Sequence, residues 1–99
     1  MSGIGHAIEH PGTVLREEYL QPMGITQSRF AREIGISFTR ANELINGKRG
    51  FTPDTALRGA KYLGTSPEFW MNWQATYDLQ RARKEHAGDY RKIKTVTAA

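Results

Sequence analysis

Residues 26–50, TQSRFAREIGISFTRANELINGKRG, decide how the chain is read. Thr26 is a capping residue and Gln27 takes the first helical position. Phe30, Ala31 and Ile34 then form an inward stripe. Ala31 is small where two helices must cross closely, and Gly35 takes a left-handed turn. Ile36 plugs the junction and Ser37 caps a second helix, whose inward face is Ala41, Leu44 and Ile45. Phe38, Thr39, Arg40, Asn42 and Glu43 are left on the outward side. Asn46-Gly47 stops the helix, and the basic pair Lys48-Arg49 follows. This is the grammar of a helix-turn-helix unit, with its motif over residues 26–47.

Working outward, His10-Pro11-Gly12 opens an earlier helix with Val14, Leu15 and Tyr19 inward, and Pro22 and Gly24 end it. Residues 1–10 read as a flexible arm. His6 and His10 stand at the i,i+4 spacing of a metal pair, but the flanking Gly and Pro oppose a helix and no third ligand is near, so no metal site is expected. Downstream, Thr52-Pro53-Asp54 starts another helix, with Ala56, Leu57, Ala60 and Leu63 as its core face. Thr65-Ser66-Pro67-Glu68 repeats the start signal for a last helix over about 67–84. Residues 85–99 read as a frayed basic tail. The expectation is an all-α, five-helix domain over residues 11–84.

Bulk properties bound the function. Ninety-nine residues make one small domain, and a hydrophobic fraction of 38% makes a lean core. The net charge of +4 suits a polyanionic partner, or is simply that of a basic soluble protein. With no cysteine, disulfides and thiolate metal sites are excluded. No apolar run approaches the ~20 residues of a membrane span, and the N-terminus lacks the features of a signal peptide. A cytoplasmic protein is therefore expected.

Catalysis finds no support. Ser28, Ser37 and Ser66 sit at helix starts, the histidines lie towards the ends, and no glycine-rich loop follows a strand. No cofactor and no enzyme activity are expected. Nucleic-acid recognition fits better. Arg40 can pair with guanine, Asn42 with adenine, and Thr39 or Phe38 can touch a thymine methyl. The start of the first motif helix at Thr26 and Gln27 can donate amides to phosphate, and Lys48 and Arg49 can hold the backbone. The plain alternatives are a solvated face, Phe38 as a core residue, and an Arg40–Glu43 pair.

The segment TQSRFAREIGIS…ANELINGKRG resembles the Xre (lambda-repressor-like) helix-turn-helix family. The flanks HPGTVLREEYLQPMGITQ and GFTPDTALRGAKYLGTSPEFWMNWQATYDLQRAR resemble its HigA branch, the antitoxins of type II toxin–antitoxin modules. The resemblance spans about residues 10–83. It implies an all-α homodimer that binds the palindromic operator DNA of its own operon. It also implies restraint of a HigB-type toxin, a RelE-like mRNA-cleaving ribonuclease. By position, base readout falls to Phe38, Thr39, Arg40, Asn42 and Glu43. Backbone contact falls to Thr26, Gln27, Ser37, Asn46, Lys48 and Arg49. Ser37-Phe38-Thr39 departs from common family versions, which bears on operator sequence and not on docking mode. The alternatives are a stand-alone repressor of the same fold and a structural helical adaptor.

The last helix carries many large apolar groups. Phe69, Trp70, Trp73 and Tyr77 are the expected dimer seam, which would set two recognition helices about 34 Å apart. Beyond it, Arg81, Arg83, Lys84, Arg91, Lys92 and Lys94 face only Glu85 and Asp89. That stretch reads as a solvated tail, a further phosphate contact, or a segment that orders on the toxin.

Overall fold

Serine and threonine hydroxyls start four of the helices. Thr26 Oγ1 accepts from the Arg29 amide, Ser37 Oγ from Arg40, Thr52 Oγ1 from Thr55 and Ser66 Oγ from Phe69. Each satisfies an amide that the helix leaves without a partner, a contribution of about 1 kcal/mol apiece. The computed structural model describes residues 8–97, and these form six helices with no strand among them. They are α1 (Pro11–Val14), continued by a π-helical stretch Leu15–Leu20, then α2 (Gln27–Ile34), α3 (Phe38–Ile45), α4 (Pro53–Leu63), α5 (Pro67–Glu85) and the short α6 (Ala87–Arg91). The frame is all-α, as expected, with one short helix more than the sequence reading gave.

The π-helical stretch has a packing consequence. Leu15 and Leu20 are five residues apart, and both are buried. An α-helix would set them well over a quarter-turn apart. The wider turn, closed by Gln21 N–H donating to the Arg16 carbonyl, brings both onto the core.

The core is one cluster. Phe30, Ala31, Ile34, Ala41, Leu44 and Ile45 from α2 and α3 meet Val14, Leu15, Leu20, Phe51, Ala56, Ala60 and Trp70. Ala31 is buried where α2 and α3 pack, as its size required. On α4 the buried residues are Thr55, Ala56, Gly59 and Ala60. Leu57 is 60% exposed, which corrects its placement on the core face. Residues 56, 59 and 60 make the inward stripe, and Leu57 stands one position off it.

Trp70 is the centre of the aromatic packing. It stacks on Phe51 at 4.9 Å between centroids and meets Tyr19 and Phe69 edge-on. Its Nε1 donates to Thr65 Oγ1 at 2.8 Å, so the one polar atom it buries is satisfied. Trp70 is therefore inaccessible to a second copy and is removed from the expected dimer seam.

Residues 8–10 lie against α5. The Ile8 amide donates to Gln80 Oε1, and Trp73 Nε1 donates to the Glu9 carbonyl. His6 and the rest of 1–7 lie outside the described residues. The Cα radius of gyration is 16.6 Å, against about 13 Å for a rounded chain of this length. The 19-residue α5 is almost wholly exposed beyond Gln80, and α6 packs on α5, so this end of the chain lies outside the core cluster.

Candidate nucleic-acid interface

The site is built on α3, whose two ends are both fixed from outside the motif. At its entry, Gly35 (φ 77°) makes the left-handed turn that a side chain would strain. Arg58 of α4 spans this turn. Its Nη1 donates to the Ile34 carbonyl at 2.9 Å and to that of Gly35 at 3.4 Å, while its Nε bonds both carboxylate oxygens of Asp54. At the exit, Gly47 (φ 75°) lies under the His10 ring. His10 Nδ1 accepts from the Gly12 amide at 2.8 Å, capping α1. Its ring meets Tyr77 edge-on at 5.0 Å. Burial lowers the His10 pKa below its usual value, opposed by the Asp78 charge and the Arg49 carbonyl and aided by Arg81.

Between these anchors, α3 turns Ala41, Leu44 and Ile45 inward. Ser37, Phe38 and Thr39 are exposed at its N-terminal end, with Phe38 at 53%, so Phe38 is not a core residue. Asn42 is half-buried beside them. Thr26 is exposed and Gln27 half-buried at the start of α2. Asn46 is exposed, and its side-chain amide donates to the Asn42 carbonyl at 2.9 Å. Lys48 is exposed past the end of α3. Ser37, Phe38, Thr39 and Asn42 are thus brought together at one end, with Lys48 and Arg49 at the other.

Two charged residues have different partners from those expected. Arg40 does not pair with Glu43. It reaches α4, donating to Thr55 Oγ1 at 3.0 Å with Asp54 Oδ2 at 3.5 Å. Hydrogen bonds from Arg58, and secondarily from Arg40, hold the Asp54 carboxyl below the usual carboxylate range. Glu43 instead takes both Nε and Nη2 of Arg49, at 3.0 and 2.8 Å. The backbone explains this choice. The amides of Lys48 and Arg49 return to the Glu43 carbonyl, folding the loop over that residue.

The helix-turn-helix family (HTH_3) matches residues 17–70, more than half of the chain. Antitoxin HigA-1 of Vibrio cholerae is 36% identical over 85 residues, covering 86% of this chain and 80% of that protein. The chain belongs to the Xre-like helix-turn-helix family, in its HigA branch. Virulence-associated protein I of Dichelobacter nodosus is 45% identical over 76 residues, 77% of this chain and 70% of the relative. An antitoxin HigA of Pseudomonas aeruginosa, solved with the higBA promoter, superposes with a TM-score of 0.86 at 32% identity, covering 91% of this chain and 99% of that one.

Sequence reasoning missed three side chains of this HigA-type fold. Arg58 had a signal in its i,i+4 spacing from Asp54, but its reach to the Ile34 carbonyl depends on how α4 crosses α2. His10 stands where a cap belongs before Pro11, and only the folded loop shows that it also covers Gly47. Gln74 is buried and satisfied at both ends, accepting from the Phe51 amide at 2.8 Å and donating to Asp78 at 3.0 Å. Nothing local marks it.

Proposed function

We propose that the chain is a DNA-binding antitoxin that represses its own operon and restrains a HigB/RelE-like ribonuclease toxin. The carrying observation is the exposed N-terminal end of α3, held at both turns and bearing groups suited to base edges. Membership in the HigA branch supports the same reading, as does the likeness to a HigA solved with promoter DNA.

In this reading α3 enters the major groove, and Phe38, Thr39 and Asn42 face the bases. Arg40 joins them by leaving Thr55 and Asp54 for guanine, and the Glu43–Arg49 pair opens towards base and phosphate respectively. Thr26, Gln27, Ser37, Asn46 and Lys48 hold phosphates on either side of α3. A homodimer presents two such helices to a palindromic operator. Its seam is drawn from Phe69, Trp73 and Tyr77, all partly exposed on α5. In this reading the protein acts in the cytoplasm, where operon and transcript are. Among the described residues no helix is long and apolar enough to cross a membrane.

The test is a binding titration on the promoter fragment of its own operon, beside co-expression with the neighbouring reading frame. Thr39→Ala should change sequence preference. Lys48→Ala should weaken all sequences alike and lower the salt slope by about one unit. No binding to the promoter at low salt would overturn the DNA reading. Promoter binding without growth rescue or co-purification of the neighbour's product would leave a stand-alone repressor, the second reading that this fold accommodates.

A further inference from the structure

The excess positive charge of the chain is not in the helix-turn-helix body. Six of the fourteen Lys and Arg, but two of the ten Asp and Glu, lie within residues 81–94. The rest of the chain holds eight of each and is neutral. The whole net charge of +4 therefore sits on the outer half of α5, α6 and the segment after it. These side chains are exposed; Arg81–Glu85 is an ion pair there, and His86 Nδ1 lies 3.7 Å from Asp89 Oδ2. Arg83, Lys84, Arg91, Lys92 and Lys94 have no carboxylate partner among the described residues.

The fold also places this charge. The loop after α3 rests on α5, since the Phe51 amide bonds Gln74 and His10 bridges the loop at Gly47 to Tyr77. Gln74, Tyr77, Arg81 and Lys84 follow at three- and four-residue steps, so they share one face of α5. That face starts beneath the loop at Gly50 and Phe51 and continues into Arg81 and Lys84. The basic segment thus continues from the loop that carries Lys48 and Arg49, on a helix end that lies outside the core cluster. The matched helix-turn-helix region stops at residue 70, before this segment begins.

We propose that residues 81–94 form a phosphate-binding arm that supplies the sequence-independent part of DNA affinity. The neutral body reads bases, and the arm provides counterion release. This rests on the DNA reading above, and the experiment separates the two.

Full-length protein is titrated against the promoter duplex, and against an unrelated duplex of equal length, over a range of salt. The variant carries Arg83→Gln, Lys84→Gln, Arg91→Gln, Lys92→Gln and Lys94→Gln. All five side chains are exposed, and its melting temperature is compared with that of the parent. Expected are weaker binding on both duplexes by a similar factor, and a salt slope shallower by at least about one unit. A companion with Lys and Arg exchanged at the same five positions should keep both affinity and slope. An unchanged slope in the glutamine variant overturns the arm, as does equal loss in the exchanged variant. Loss of the neighbouring gene's product on co-purification with DNA binding intact also overturns it, by assigning the segment to a protein. If the parent binds neither duplex, the DNA reading itself fails.

Discussion

The two turns that flank α3 share a geometry and differ in what holds them. Gly35 and Gly47 have nearly the same left-handed backbone, φ 77° and 75°. The first is spanned by the Arg58 guanidinium, a planar fork that reaches Asp54 and the turn at once. The second is covered by His10, a ring that must stay neutral at Nδ1 to cap Gly12. Entry to the recognition helix is therefore fixed by a guanidinium fork on α4, and its exit by an imidazole tied to α1 and α5. The difference teaches that α3 is not positioned by the motif alone. Three other helices set its two ends.

The comparison breaks most severely at Gly12. A Cβ built there would lie 1.8 Å from the Leu44 carbonyl oxygen and 3.0 Å from His10 Nδ1. The Gly12→Ala change forces α1 off the last turn of α3 and takes His10 with it. We expect a loss of about 3 kcal/mol, read as a melting temperature lower by roughly 15 °C. An unchanged melting temperature would mean that α1 does not anchor the exit.

Arg58→Ala attacks the opposite turn. Two carbonyls lose their charged donor, at a site where the Arg58 side chain itself is half exposed. The expected cost is about 1 kcal/mol in a denaturant titration. Operator affinity should fall as well, because the turn that aims α3 loosens. Arg58→Lys should recover only part of both, since an ammonium cannot reach Asp54 and the turn as a fork.

The smallest effect sharpens the contrast through pH. Burial holds the folded His10 pKa below the ordinary histidine value of 6.5, so folding favours the neutral ring. Its stabilisation is complete above 6.5 and is lost as pH falls through the folded value. Melting temperature should therefore decline modestly on going from pH 7.5 to pH 5. Asp78, Arg81, the Tyr77 ring and the Arg49 carbonyl surround the group and set the size of the decline. His10→Asn keeps a capping oxygen without a proton to gain, and should flatten the curve over that window. An equally steep curve in His10→Asn would assign the decline to other groups.

What was legible in the sequence was local. Thr26, Ser37, Thr52 and Ser66 announce their helices because a cap needs only the next three residues. Gly35 and Gly47 announce their turns for the same reason. The inward stripe Ala41, Leu44, Ile45 follows from helical period. What was not legible depends on how helices cross. Arg40 pairs with Asp54 across α4 and not with Glu43 one turn away. Leu57 faces solvent because small residues carry the contact of α4. Trp70 and Phe69 are neighbours on one helix and Tyr19 meets both edge-on, yet Phe51 stacks on Trp70 and leaves Phe69 partly exposed. The all-α frame and its family were therefore readable, while the partners of individual side chains in the candidate site were not.

Trp70 and Trp73 give the protein two optical probes with separate duties. Trp70 sees no solvent and stacks on Phe51, so its emission is blue until the core opens. Trp73 is partly exposed on α5, bound through its indole nitrogen to the Glu9 carbonyl. A single-tryptophan version retaining Trp70 reports global unfolding. One retaining Trp73 reports whatever covers or uncovers the outer side of α5, including a second copy of the chain, with no label attached.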